Sequence, residues 1–333
     1  MKFGVLQFFS WPDRRSTLAT VYERALERIE IMDRSGYDAV WITEHHFNDY
    51  SVCPSIPVMG AYAAARTKKL HIATGVTLAA FYHPLRLAEE IALLDILSGG
   101  RVYWGAGRGF DPKEFRTFGM TPEESYPRFQ EAVDIVMSAW RNQRITYHGK
   151  YYSFDNIEVL PKPLQQPHPP MWVAAYSPPA IEWAASQGYS IMLDPHSPTS
   201  VIGEKMETWR KLLVEHGHQP EGRVLPTVRL VAIGSTDAKA AEIAREGSKW
   251  LLRTYVNPTG ERGDSTTMAD RYVDSMVIHG TAERVADQIA RLHEEIGLDY
   301  MITAPLSHET FLTFTDEVLP KLATSEPAIK VVD

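Results

Sequence analysis

The sequence predicts an α/β protein, most simply a (β/α)8 TIM barrel with insertions that forms one domain over residues 1–333. Three observations predict it. Short apolar runs rich in β-branched and aromatic residues alternate along the chain with stretches of helical spacing, the pattern of a parallel sheet. About eight such units can be placed, the number that closes a barrel. No Gly-x-Gly-x-x-Gly follows the first apolar run, as an open dinucleotide-binding sheet would require, and Gly105, Gly107 and Gly109 lack the third-glycine spacing.

Lys2 to Phe9 reads as the first strand, and Thr17 to Arg34 carries Leu18, Tyr22, Ala25, Ile29 and Met32 at helical spacing until Gly36 ends it. Tyr37–Thr43 is the second strand, Ser55–Arg66 a helix and Leu70–Leu78 the third strand. Pro84 opens a helix that runs to Leu97 and is closed by Gly99-Gly100, before a fourth strand from Arg101 to Gly107. A helix over Glu123–Arg141 and a Pro-rich connection, 161–170, lead to a buried strand at Met171–Ala175. Ala180–Gln187 and Gly188–Leu193 give the next helix and strand; Val224–Ile233, Ala238–Arg253, Ala282–Glu295 and Tyr300–Thr303 complete the alternation. Tyr147–Leu160 reads as an extra hairpin. Tyr255–Tyr272 reads as a polar loop long enough to serve as a lid.

A net charge of −8 argues against a nucleic-acid or anionic-membrane partner, which would reward clustered Lys and Arg, and favours a small molecule. Cys53 is the only cysteine, which excludes an intrachain disulfide and a cysteine-based zinc cluster. The run Phe3–Phe9 stands at the start without a basic leader, so the expected location is the cytoplasm.

Barrel enzymes carry their chemistry after the strand ends. Those positions hold Glu44, His45, His46 and Phe47; Gly75, Val76, Thr77 and His83; Arg108 and Gly109; Tyr176 and Ser177; Asp194 and His196. Neighbouring residues on a strand point to opposite sides, so His45 and His46 are poor joint ligands for one metal, and no metal is expected. Either one is a core histidine holding Glu44, or one transfers protons near neutral pH. Arg108, between glycines, offers a fork of donors to a phosphate or makes a surface ion pair. Ser177 caps the next helix or, with nearby backbone N–H groups, binds an anion. Phe8, Trp11, Phe81, Tyr82 and Phe110 line an apolar pocket or belong to the core.

Val40-Trp41-Ile42-Thr43-Glu44-His45-His46-Phe47, His83-Pro84, Leu94-Asp95, Ser98-Gly99-Gly100-Arg101, Arg108-Gly109, Glu114-Phe115-Arg116, Phe118-Gly119, Glu182-Trp183-Ala184-Ala185 and Tyr255-Val256-Asn257 occur in an order that resembles the bacterial luciferase-like, flavin-dependent monooxygenases. The resemblance covers nearly the whole chain. It implies reduced FMN supplied by a separate flavin reductase, dioxygen as co-substrate, a small organic molecule to be oxygenated, and a homodimer. It makes His45 the catalytic imidazole and places Glu44, Gly75, Val76, Arg108, Arg128 and Ser177 around FMN, with the phosphate on Arg108, Ser177 and Arg128. Gly75-Val76 would carry the family's non-proline cis peptide. Gly107 stands where the luciferase large subunit has a reactive cysteine, and Tyr176 where it has an acid, so light emission is not carried over. Two other readings remain: hydride transfer with a 5-deazaflavin on the same fold, and flavin binding without catalysis.

Overall fold

The computed structural model describes residues 1–256, 265–324, 329 and 331. The chain begins β1 (Lys2–Gln7), α1 (Leu18–Ser35), β2 (Ala39–Ile42), α2 (Ile56–Arg66), β3 (His71–Thr74), β4 (Thr77–Leu78), α3 (Pro84–Ser98), β5 (Val102–Gly107). The single third strand expected from the sequence is thus two pieces, divided at Gly75-Val76, whose peptide bond is cis. Ser55 caps α2 by accepting the Val58 N–H, and Gly99 ends α3 in the left-handed region at φ 72°, where a side chain would be strained. Next come α4 (Pro112–Thr117), α5 (Pro122–Arg141), the hairpin β6 (Ile145–His148) and β7 (Ser153–Ile157), and β8 (Met171–Ala174). Thr121 and Glu124 form a reciprocal capping box at the start of α5. The remainder is α6 (Pro178–Ser186), β9 (Ser190–Met192), α7 (Thr199–Glu215), β10 (Thr227–Ile233), α8 (Asp237–Leu251), a π-helical turn (Leu252–Val256), α9 (Ser265–Met276), β11 (Val277–Gly280), α10 (Ala282–Ile296), β12 (Tyr300–Pro305) and α11 (His308–Thr313).

The chain forms two compact units. One holds 8–33, 40–174 and 329–333. In it β2, β3, β5 and β8 lie side by side, with β3, β4 and β8 all parallel to β5. Its core is aromatic: Trp172 meets Trp41 and Tyr103 edge-on at 5.5 and 5.4 Å, and the Trp140 indole N–H donates to Ala88 O at 3.0 Å. The other unit holds 1–7, 34–39 and 175–328. Its strands run in the order β11, β10, β12, β1, again parallel. Leu193, just past β9, bridges Thr227 of β10 in parallel through Val228 N–H to Leu193 O at 3.0 Å.

Two expectations need correction. The polar segment Tyr255–Tyr272 is not one long loop. Residues 257–264 lie outside the described residues, but α9 begins at Ser265 and buries Ala269, Tyr272 and Val273, a helical stripe hidden in a polar composition. Helix α7 was also missed, although Ile202, Met206, Trp209 and Leu213 recur at helical spacing and are buried. Among the described residues no helix is long and apolar enough to cross a membrane.

A first prediction arises on α5. Asp134 is half-buried beside Glu131, whose carboxylate accepts the Lys150 and Tyr151 N–H groups of the hairpin turn. Burial first, and then the Glu131 charge, raise the Asp134 pKa to about 6. The folded state therefore holds this proton more tightly than the unfolded chain does. Its contribution is complete below the ordinary carboxyl range and is lost as pH rises through about 6. Asp134→Asn is expected to raise Tm relative to the parent at pH 8 and to bring no gain at acid pH, as measured by thermal unfolding at the two pH values.

Candidate active site

β2 is Ala-Val-Trp-Ile with every residue buried, as a strand covered on both faces must be. Polar residues return where the strand ends, and Thr43, Glu44 and His45 are still buried there. Thr43 Oγ1 lies 2.9 Å from Ser51 Oγ, and the His45 N–H donates to Cys53 O at 3.1 Å, which pins this segment to the loop that follows. The two histidines then diverge. His45 Nδ1 lies 3.0 Å from Tyr50 Oη and 3.4 Å from Glu114 Oε1. Its ring stacks parallel to Phe8 at 6.4 Å and meets Tyr50 and Phe110 edge-on at 4.6 and 6.1 Å. Both contacts orient the ring through Nδ1; an Nδ1 proton given to either oxygen would leave the basic lone pair on Nε2.

His46 is the histidine of the pair that holds Glu44, although it is the less buried of the two. Its Nε2 lies 3.1 Å from Glu44 Oε1, and its ring meets Phe118 edge-on at 4.8 Å. Both Glu44 oxygens are engaged, since Tyr82 Oη donates to Oε2 at 3.0 Å. Burial pushes the Glu44 pKa up, against the hydrogen bonds from His46, Tyr82 and the Leu78 N–H. Burial and the Glu44 charge raise the Tyr82 phenol in turn, which keeps it a donor. Glu114 ties the cluster together: fully buried on α4, it also accepts the His46 N–H at 2.8 Å. Asp111 caps α4 and accepts from Asn48 Nδ2 at 2.6 Å, which fixes that helix to the histidine turn.

The Gly75 N–H donates to Ile42 O at 2.7 Å, joining the β3–β4 break to the end of β2. Val76 packs its methyl into the space above Gly107, where a Cβ would fall inside van der Waals contact. No side chain fits at Gly107 without moving Val76, which gives a physical reason for the absence of a cysteine. Gly107→Ala is expected to cost about 1–3 kcal/mol of stability through overpacking, read from the urea midpoint; an unchanged midpoint would show that Val76 yields freely.

Arg108 is half-buried, with Nη1 donating to Ser125 Oγ at 3.1 Å and the guanidinium 5.8 Å from the Phe115 ring centre. Arg128 lies 3.9 Å from Glu124 and 4.3 Å over the Tyr151 ring; among the described residues its buried Nε has no hydrogen-bond partner. Two guanidinium groups thus gather around the first two turns of α5. Ser177 starts α6 in the other unit, and its hydroxyl makes no cap hydrogen bond. Here the sequence reading needs correction. Pro178 and Pro179 fill the first two helical positions and have no N–H, while the Ala180 and Ile181 N–H groups already bond to Ser177 O at 3.0 Å. The anion-binding backbone expected at this helix start is absent, and only the serine itself can contribute.

The structure has the cis peptide expected at Gly75-Val76 and brings His45, His46 and Glu44 together at the end of β2, and it adds Tyr50 and Glu114, which the sequence does not single out as their partners. Glu114 carried a signal, as an acid in the first turn of a short helix beside apolar Phe115. Its contact with residue 46 is a tertiary pairing that spacing does not reveal.

The sequence profile of the luciferase-like monooxygenases matches residues 1–300. A Sinorhizobium fredii protein, y4wF, is 32% identical over 91% of this chain and 89% of its own length. The oxygenase component of the flavin-dependent trigonelline monooxygenase of Acinetobacter baylyi is 32% identical over 59% of this chain, a match that spans 54% of that relative. Among solved structures, the monooxygenase RslO1 of Streptomyces bottropensis superposes with a TM-score of 0.86 and 27% identity, covering 97% of this chain and 100% of that one. The fold class is therefore the parallel α/β class of the luciferase-like barrels, as the sequence predicts, and the chain belongs to the luciferase-like monooxygenase family.

Proposed function

We propose that this chain is the oxygenase of a two-component system in the cytoplasm: it takes reduced FMN from a separate flavin reductase and uses dioxygen to oxygenate a small organic substrate. The carrying observation is the buried His45 imidazole, oriented through Nδ1 by Tyr50 and Glu114 and walled by Phe8 and Phe110. The residues present fit FMN. Arg108 and Arg128, with one buried N–H of Arg128 unsatisfied among the described residues, are suited to a dianionic phosphate. Gly75 and Val76 offer backbone beside the end of β2, and Glu44 acts by positioning His46. When bound, reduced FMN supplies the electrons that activate dioxygen. His45 Nε2 holds or takes the proton of the reaction, and the aromatic walls exclude water from it.

The test is oxygen consumption by the purified chain with chemically reduced FMN, alongside FMN binding followed by fluorescence quenching. Quenching weakened in Arg108→Met, and oxygen uptake coupled to product, support the reading. Hydride transfer to a 5-deazaflavin without oxygen uptake would replace it with the dehydrogenase reading; flavin binding with neither activity would leave a non-catalytic flavoprotein.

A homodimer is part of this proposal. Val58 and Tyr62 on α2, and Leu93 and Leu97 on α3, are exposed at four-residue spacing and form apolar stripes on adjacent helices. Light scattering should give a mass near twice 37.6 kDa, falling to the monomer value on Val58→Lys.

A further inference from the structure

The unit that holds residues 175–328 has a polar cluster of its own, built from β10 and the loop after β9. Arg229 on β10 is 2% exposed. Its Nη1 donates to Ser197 O at 2.9 Å, while Nε and Nη2 are buried and have no hydrogen-bond partner among the described residues. Those two nitrogens form one edge of the guanidinium, the edge that matches the two oxygens of a carboxylate. Asp194 acts on it through its charge but makes no hydrogen bond to it among the described residues. Asp194 is saturated by the His196 N–H at 2.9 Å, by Ser197 Oγ at 3.1 Å and by Lys205 Nζ at 2.8 Å. Lys205 neutralises that carboxylate and also sits 4.1 Å from the Tyr176 ring centre. His196, hydrogen-bonded to Tyr272, has its pKa lowered to about 4, first by burial, and adds no charge at neutral pH. The described cluster therefore carries two cations and one anion, with the excess positive charge on a buried guanidinium. Such a group is costly to bury unless an anion completes it.

We propose that Arg229 binds the carboxylate of an organic acid through its Nε–Nη2 edge, with Tyr176 and Tyr272 as nearby aromatic groups. If the oxygenase reading holds, the substrate class of the chain is a carboxylic acid, and this last step alone rests on that reading and on no placement of Arg229 relative to His45. Binding is to be measured on flavin-free full-length protein, by thermal shift and titration calorimetry at fixed ionic strength. The probes are acetate, hexanoate and benzoate against acetamide, hexanamide and benzamide. At least one acid is expected to bind and stabilise where its amide does not. Arg229→Met is expected to weaken that binding by about tenfold or more, as loss of a charge-assisted hydrogen bond does. The same variant should keep or raise Tm, because it removes a buried charge that no carboxylate hydrogen-bonds among the described residues. Equal binding of acid and amide, no binding of any acid, or unchanged affinity in Arg229→Met overturns the proposal. So does a marked fall in Tm for that variant, which would show that the guanidinium is used within the chain. Failure of the flavin reading would appear separately, as absent FMN quenching with acid binding intact.

Discussion

His45→Asn is expected to lower the rate of substrate oxygenation by about 10²–10⁴-fold, the span contributed by a positioned general acid or base, and to leave FMN affinity unchanged. The substitution is selective. An asparagine amide occupies the place of Nδ1 and can keep the Tyr50 and Glu114 contacts, so the turn at Glu44–Phe47 retains its supports. What is lost is Nε2, the atom that carries the proposed proton role. Single-turnover product formation with pre-reduced FMN separates chemistry from flavin delivery. Glu114→Gln provides the control for positioning: it keeps the shape and an acceptor for the His46 N–H but weakens the orientation of both rings. Its effect should be smaller than that of His45→Asn and should shift the pH profile of the rate. Full activity in His45→Asn would remove His45 from the mechanism.

The strand order was legible because parallel strands covered on both faces must be apolar, so runs such as Ala39–Ile42 and Met171–Ala174 stand out even without alternation. Helices with capping signals were equally clear: Ser55 before α2, Thr121 before α5 and Gly99 after α3 all act as their residue types suggest. Misreadings came where composition and periodicity disagree. Ser265–Met276 is rich in hydroxyl and acidic residues yet buries one apolar stripe, and only its period marks it as a helix. His45 and Arg108 do follow the ends of β2 and β5, as chain order alone predicts. Local sequence does not show which histidine holds Glu44, because the contacts are tertiary: Glu114, 69 residues from His45, meets its ring and the His46 N–H, and Tyr82, 38 residues from Glu44, shares that carboxylate with the His46 ring. Arg229 was passed over for a similar reason. It reads as a mid-strand residue of β10, and only the partner Ser197 O shows where its long side chain ends.

Arg101→Met is expected to destabilise the protein by about 2–4 kcal/mol, which makes it the largest stability effect among these substitutions, because several acceptors lose a charged donor at once. The Arg101 Nε donates to Ser98 O at 2.7 Å, Nη1 to Thr67 Oγ1 at 3.0 Å and Leu70 O at 2.7 Å, and Nη2 to Ala64 O at 3.0 Å and Thr67 O at 3.2 Å. Ala64 and Ser98 lie in the last turns of α2 and α3, where helix carbonyls lack intrahelical partners and a cation is favoured. One guanidinium therefore closes two helix ends and the approach to β3. Asp95 is the matching anchor three residues before Ser98: fully buried, it accepts the Gln165 N–H at 2.8 Å and Gln165 Nε2 at 2.7 Å. The segment Leu94–Arg101, one of the stretches that make the sequence resemble its family, thus holds the framework and carries no reactive group. Arg101→Lys retains the charge but not the planar fork and should recover less than half of the loss. Urea midpoints of the two variants test this, and a midpoint for Arg101→Met equal to that of the parent would mean that water replaces the guanidinium at every one of these carbonyls.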